Sequence, residues 1–146
     1  MNLFSALAFV SYTAGFLIVT RFAVLYLGRS EFLPWHSSAT GRSWRDIDER
    51  MRTLLLALIR LLGWAYLAAA FAGFCGIYVT FFAAGGLPSL LVLQCLGLLV
   101  AIPPLMVTMR IRASTGASTP VWPVAAVVAL FTMGIVLMLV STLCRA

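Results

Sequence analysis

The chain has 146 residues, 63% of them hydrophobic and only 10% charged, with a mean hydropathy of +1.08. A soluble domain carries about 25% charged residues, so this composition excludes a water-soluble globular protein and makes lipid the main solvent. The net charge of +6 comes from ten arginines and no lysine. Nearly all of them lie at the ends of apolar runs or between them, which suits lipid headgroups and topology control and argues against a nucleic-acid partner.

The first apolar run is Leu3 to Leu27, interrupted only by Arg21. No basic region precedes it and it exceeds a signal-peptide core, so it reads as a retained helix. A polar stretch from Gly28 to Arg52 follows. Within it, Phe32-Leu33-Pro34-Trp35-His36 is apolar and aromatic but too short to span. Pro34 is placed to open a short helix that Gly41 closes, lying in the interface or folded under the bundle. Further on, Ser43-Trp44-Arg45-Asp46 has the spacing of a capping box, with Asp46, Asp48 and Glu49 where a helix dipole favours negative charge. That pattern predicts a second long helix beginning near Trp44, in water.

The second apolar run covers residues 53–82, broken by Arg60. Its small residues Ala68, Ala72 and Gly76 form an i, i+4 ladder suited to close helix approach, inside the monomer or at a dimer face. A turn at Ala83-Ala84-Gly85-Gly86 leads to the third run, residues 89–109. Pro103-Pro104 should bend or end that helix, and Arg110 to Pro120 reads as a polar turn. The fourth run is residues 121–143. Each run holds the ~20 residues that a ~30 Å hydrocarbon core requires. The expected fold is therefore all-α, a single integral membrane four-helix bundle with a short interfacial helix in its first loop.

Arginines set the orientation. Arg29, Arg42, Arg45, Arg50 and Arg52 in the first loop, with Arg110 and Arg112 in the third, share one side; the other has Arg145. Positive loops stay in the cytoplasm, so loops 28–52 and 110–120 should face it and both termini should face outward.

Few residues suggest chemistry. His36 is the single histidine, and Cys75, Cys95 and Cys144 form no CxxC or Cys/His cluster, so neither a metal nor another cofactor is expected. No nucleophile elbow, phosphate loop or dinucleotide fingerprint occurs. The spans contain no Asp or Glu, which argues against ion-coupled transport by this chain alone. Gln94 is the one amide deep in a span. Arg21 and Arg60 fall at similar depths near the first loop, and an intramembrane arginine must snorkel, pair or face a polar cavity. Glu31 and His36 on that loop are natural partners for a shared pocket, with Trp35 as an interfacial anchor. Such a pocket would suit an anionic or carbonyl-bearing headgroup.

Two loop signatures carry a resemblance. Glu31-Phe32-Leu33-Pro34-Trp35-His36, with Gly41 and Trp44, resembles the F-M-P-Y-H…G…W loop of a functionally uncharacterised family of small four-span bacterial membrane proteins. Thr115-Gly116-Ala117-Ser118-Thr119-Pro120, with Trp122, resembles the T-G-A-x-T-P-W turn of the same family. Leu33 and Trp35 replace Met and Tyr, and Val121 is inserted before Trp122. The resemblance implies the four-span topology and an inner-membrane location, and no reaction. The expected function is a non-enzymatic accessory subunit or a binder of lipid or another hydrophobic molecule. The alternatives are a small enzyme or quinone- and lipid-handling protein using the loop-end site, and an oligomeric pore or carrier. Expected partners are membrane lipids, a second membrane protein or further copies of the chain.

Overall fold

The computed structural model describes residues 2–83 and 85–144, and among these the chain is helical with no strand. Helices α1 (Leu3–Leu27), α3 (Glu49–Phe81), α4 (Gly86–Thr115) and α5 (Val121–Leu143) are each long and apolar enough to cross a membrane. Short helix α2 (Pro34–Thr40) sits in the loop between α1 and α3. Ala84 of the expected turn, and Arg145 of the side expected to face outward, lie outside the described residues. α1 packs on α3 and α5, and α4 packs on the same two helices, closing a four-helix bundle.

Why these four helices close so tightly follows from their glycines. Among the described residues, the core is built of three aromatic rings, each set against a residue without a side chain. Phe131 of α5 is fully buried, and a Cβ on Gly97 of α4 would come within 2.8 Å of its ring. On the other side a Cβ on Gly15 of α1 would come within 2.5 Å of the same ring. Phe16 fills the notch at Gly73 of α3, and Tyr12 the notch at Gly134 of α5, where a Cβ would lie 2.7 Å away. Lipid offers no hydrophobic drive between helices, so this close van der Waals fit must hold the bundle together. One polar bond crosses the core: the Tyr12 hydroxyl donates to Gln94 Oε1 at 2.7 Å, which accounts for the single deep amide. Outside the bundle, large side chains such as Phe71 and Leu99 are over 70% exposed and form the lipid-facing belt.

At the end away from the long loop, Asn2 caps α1 by accepting from Ser5 N–H at 2.9 Å, and its Oδ1 also accepts from Ser141 Oγ at 2.8 Å. That pair ties the start of α1 to the end of α5.

Two boundaries differ from the sequence expectations. The second long helix does not begin near Trp44. Residues Trp44–Asp46 form a separate 3-10 turn, in which the Asp46 carboxylate accepts from Ser43 N–H at 3.2 Å. Ile47 and Asp48 are then extended, and Asp48 caps α3 by accepting from Arg50 N–H and Met51 N–H. Aspartate competes for backbone donors better as a cap than it serves in a helix interior, so the later cap prevails. Pro103-Pro104 does not end its helix. α4 continues to Thr115 and stops at Gly116 in the left-handed region (φ 69°). Two adjacent prolines cost the Leu99 and Val100 carbonyls their usual donors but leave the helical path open. Arg110 and Arg112 are thus helical, and the third loop shrinks to residues 116–120. By contrast α2 forms as the sequence suggests, with Pro34 in its first turn and Gly41 at φ 63° closing it.

Candidate functional site

Close packing fills the bundle's middle, while the end bearing the long loop is hollow. The reason lies in the residues supplied there. Pro104, Pro120 and Pro123 place short rigid rings where longer side chains would fill space, and α2 folds beneath as a floor. Leu33, at the start of α2, is fully buried and anchors that floor. The loop before α5 is pinned too, because Thr119 Oγ1 donates to the Thr108 carbonyl at 3.0 Å.

Three neighbouring cavities result. The one between α3 and α4 holds about 280 Å³. Its floor is Trp35 and His36, its back wall Tyr26, Tyr66 and Thr108, and its mouth the apolar side chains Leu58, Leu62 and Val107. Leu58 and Val107 are more than half exposed, so the mouth opens sideways on the outer face of the bundle. A narrower pocket of about 60 Å³ continues inward between the helices, sharing Tyr26, Tyr66, Pro104 and Thr108 and reaching Val19 and Val127. The third, of about 340 Å³, lies on the other side of Trp35, against α1 and the start of α5.

His36 stands in an aromatic surround. Its ring lies edge-on to Tyr26 at 6.2 Å, to Phe32 at 5.6 Å and to Trp35 at 5.9 Å. Phe32 in turn packs on Trp44 at 4.7 Å, which locks the 3-10 turn to α2. Tyr26 and Tyr66 meet edge-on at 6.1 Å. The His36 Nδ1 atom is buried and has no hydrogen-bond partner among the described residues. Burial also holds the imidazole below its ordinary pKa of 6.5, because desolvation penalises the cation. A neutral imidazole beside two phenols offers hydrogen-bond donors and acceptors on an apolar wall, as a pocket for an amphipathic small molecule requires.

The structure brings together only some of the residues singled out in the sequence. Trp35 and His36 share the first cavity, and Arg21 and Trp35 share the third. Arg60 is exposed and lines none of the three. At about 100° per residue, it falls on the side of α3 away from the face carrying Leu58, Leu62 and Tyr66. Glu31 is exposed and also outside all three. Sequence reasoning did not assign Tyr26, Tyr66, Thr108 or Pro104 to a site. The signal for Tyr26 was its place one residue from the end of α1, where a phenol needs a polar partner, whereas Tyr66 lies in the middle of α3 and nothing local marked it. No pattern at Thr108 announced its role. Among the described residues, no three His, Cys, Asp or Glu side chains gather to hold a metal ion.

No family model matches this chain, and neither a curated protein nor a solved structure matches it.

Proposed function

We propose that this small membrane protein binds a hydrophobic molecule with a carbonyl-bearing head, of the quinone or lipid class, without transforming it. The head would enter between α3 and α4 and take hydrogen bonds from Tyr26, Tyr66 and His36. Its tail would remain in the bilayer past Leu58 and Val107. The observation that carries this reading is a cavity whose mouth is apolar and exposed and whose lining brings together the imidazole of His36 and the phenols of Tyr26 and Tyr66. Accessory work beside a larger membrane protein fits the same site, whose lining contains no serine, cysteine or carboxylate. Catalysis by His36 is the second reading, favoured only by its neutral imidazole.

The proposal includes an orientation, with both termini outward and the hollow end toward the cytoplasm, at the inner membrane of a bacterium. The seven-to-one arginine ratio supports it, as does the loop resemblance to the small four-span bacterial family. An impermeant maleimide should spare Ser38→Cys in intact cells, in a cysteine-free background, and label it in inverted vesicles. Labelling in intact cells would reverse the topology.

The binding test uses the purified chain in a mild detergent and a short-chain ubiquinone as probe, read by quenching of Trp35. His36→Ala and Tyr66→Phe should each weaken binding about tenfold, roughly the loss of one or two hydrogen bonds. Affinity unchanged in both variants would reject the site. Conversion of the probe to a new product would reject binding without transformation.

A further inference from the structure

The third cavity differs from the first in chemistry and in access. Its wall along α1 is Arg21, Phe22 and Leu25, its wall on α5 is Pro120 and Pro123, and Trp35 closes its loop end. It holds about 340 Å³, in the range of small-molecule pockets. Arg21 is exposed, yet it lies six residues inside the end of α1, about 9 Å of helix rise. Its surroundings are thus a membrane interface rather than open water. No carboxylate on either wall can balance its charge, because α1 and α5 contain no Asp or Glu. The four acidic residues of the chain are all at positions 31–49. Glu31, the nearest in sequence, lies outside the groove and is exposed.

From this geometry we infer that the groove between α1 and α5 is a seat for one phospholipid, whose phosphate is held by Arg21 and whose glycerol and first acyl carbons lie against Phe22, Leu25 and Pro123. The guanidinium fork matches two phosphate oxygens at once, which an amine does not. An indole at the loop end suits the headgroup level, where tryptophan is favoured. The walls below Arg21 are apolar, so acyl chains continue into the bilayer without desolvating a polar group. This lipid is separate from the ligand of the first cavity and would occupy the leaflet on the long-loop side. Trp35 is the partition between the two.

Native mass spectrometry of the full chain released from delipidating detergent tests the assignment, with phosphatidylglycerol as the probe. Wild type should retain one phosphatidylglycerol per chain. Arg21→Gln should lower its occupancy at least tenfold, whereas Arg60→Gln, which removes an equal charge outside any of the three cavities, should leave it unchanged. Leu25→Trp fills the groove while keeping Arg21, and should also displace the lipid. That second variant keeps the test decisive if Arg21→Gln fails to fold. Diacylglycerol, which lacks the phosphate, should bind at least tenfold more weakly. Inorganic phosphate at millimolar concentration should not displace the lipid. Retention of phosphatidylglycerol by both groove variants would overturn the proposal, as would equal loss in Arg60→Gln, since the effect would then be one of net charge. Displacement by inorganic phosphate would make this a free-anion site and overturn the lipid assignment. His36→Ala should leave phosphatidylglycerol in place while weakening quinone binding, so the two sites fail independently.

Discussion

If the four glycine–aromatic notches hold the bundle, the sign of one substitution should depend on its neighbour. Gly97→Ala places a methyl 2.8 Å from Phe131 Cδ2 and 3.0 Å from Cγ. Carbon pairs prefer about 3.5–4.0 Å, so the ring must retreat by roughly 0.7 Å. It has nowhere to go: Phe131 is fully buried, Gly15 of α1 lies against its other edge, and the Phe16 ring is 4.7 Å away. Overpacking of this kind costs about 1–3 kcal/mol. Against it stands the helix preference of alanine over glycine, at most about 1 kcal/mol. The net expectation is destabilisation by about 1 kcal/mol with Phe131 present. In a Phe131→Leu background the smaller side chain leaves room, and the same Gly97→Ala change should be neutral or stabilising. Reversible unfolding by dodecyl sulfate in mixed micelles, followed by circular dichroism, measures all four corners of the cycle. Gly97→Ala with the same sign and size in both backgrounds would refute the notch as the source of the effect, because an intrinsic propensity gain does not depend on residue 131.

Three further outcomes follow from the same structure. Tyr12→Phe strips Gln94 Oε1 of its 2.7 Å donor and should cost about 0.6 kcal/mol, up to about 1.7, by the same unfolding assay; adding Gln94→Leu should recover part of that loss. Asp48→Ala removes the cap of α3 and should cost about 0.5–2 kcal/mol, whereas Ser43→Ala, at a three-residue turn, should cost less; amide exchange at residues 49–52 separates them. Acid should loosen α2. Burial lowers the His36 pKa below 6.5, so the displaced state binds more protons than the seated one, and seating is favoured fully above pH 6.5 and progressively lost below it. The groups facing His36 are the neutral rings of Tyr26, Phe32 and Trp35, none of which offers a countercharge. A spin label at Ser38→Cys should become more mobile as pH falls through that range, and His36→Gln should abolish the change.

How much of this was readable in advance depended on whether the information was local. Run length and charge gave the four spans, because hydrocarbon thickness and the cost of an unpaired backbone are properties of any segment of that kind. Pro34 and Gly41 announced α2 for the same local reason. The capping box at Ser43 was also real as a bond, but a stronger cap five residues later took the helix, and competition between two adequate caps is not visible in either one alone. Pro103-Pro104 left two outcomes open, a bend or an end: proline removes donors, yet α4 stays helical past both rings to Thr115. At the site, neither depth nor direction was legible. Gly63 of α3 packs at Ala23 and Leu27 of α1, so Arg60 is level with the end of α1 and Arg21 lies about two turns deeper, while rotation about each helix axis decides what they face. Rotation is set by which glycine meets which ring, a pairing between distant segments. The ladder at Ala68, Ala72 and Gly76 illustrates it: a Cβ on Gly76 would touch Leu93 of α4, while Ala68 and Ala72 look outward.

The bundle's two regions impose opposite demands on the same four helices. Glycine–aromatic notches at residues 15, 73, 97 and 134 pull the backbones together around Tyr12, Phe16 and Phe131, and close approach there leaves no room for a ligand. One to three helical turns toward the long loop, the face residues become Phe22, Tyr26 and Tyr66 on α1 and α3 and Pro104, Pro120 and Pro123 elsewhere. Large planar rings opposed to short rigid ones cannot interdigitate as a ring does with a glycine, so the helices stay apart and space remains. A close-packed middle then has a functional consequence. It fixes the splay of the open end, so that the cavity floor depends on α2 alone, held by Leu33 below and by the Phe32–Trp44 contact at its side. Trp35 belongs to that floor and divides the two cavities. Trp35→Ala should therefore weaken both the short-chain quinone and phosphatidylglycerol, where His36→Ala affects only the first and Arg21→Gln only the second. Paired binding measurements on the three variants would show it, and Trp35→Ala altering neither ligand would dissolve the link between the floor and both sites.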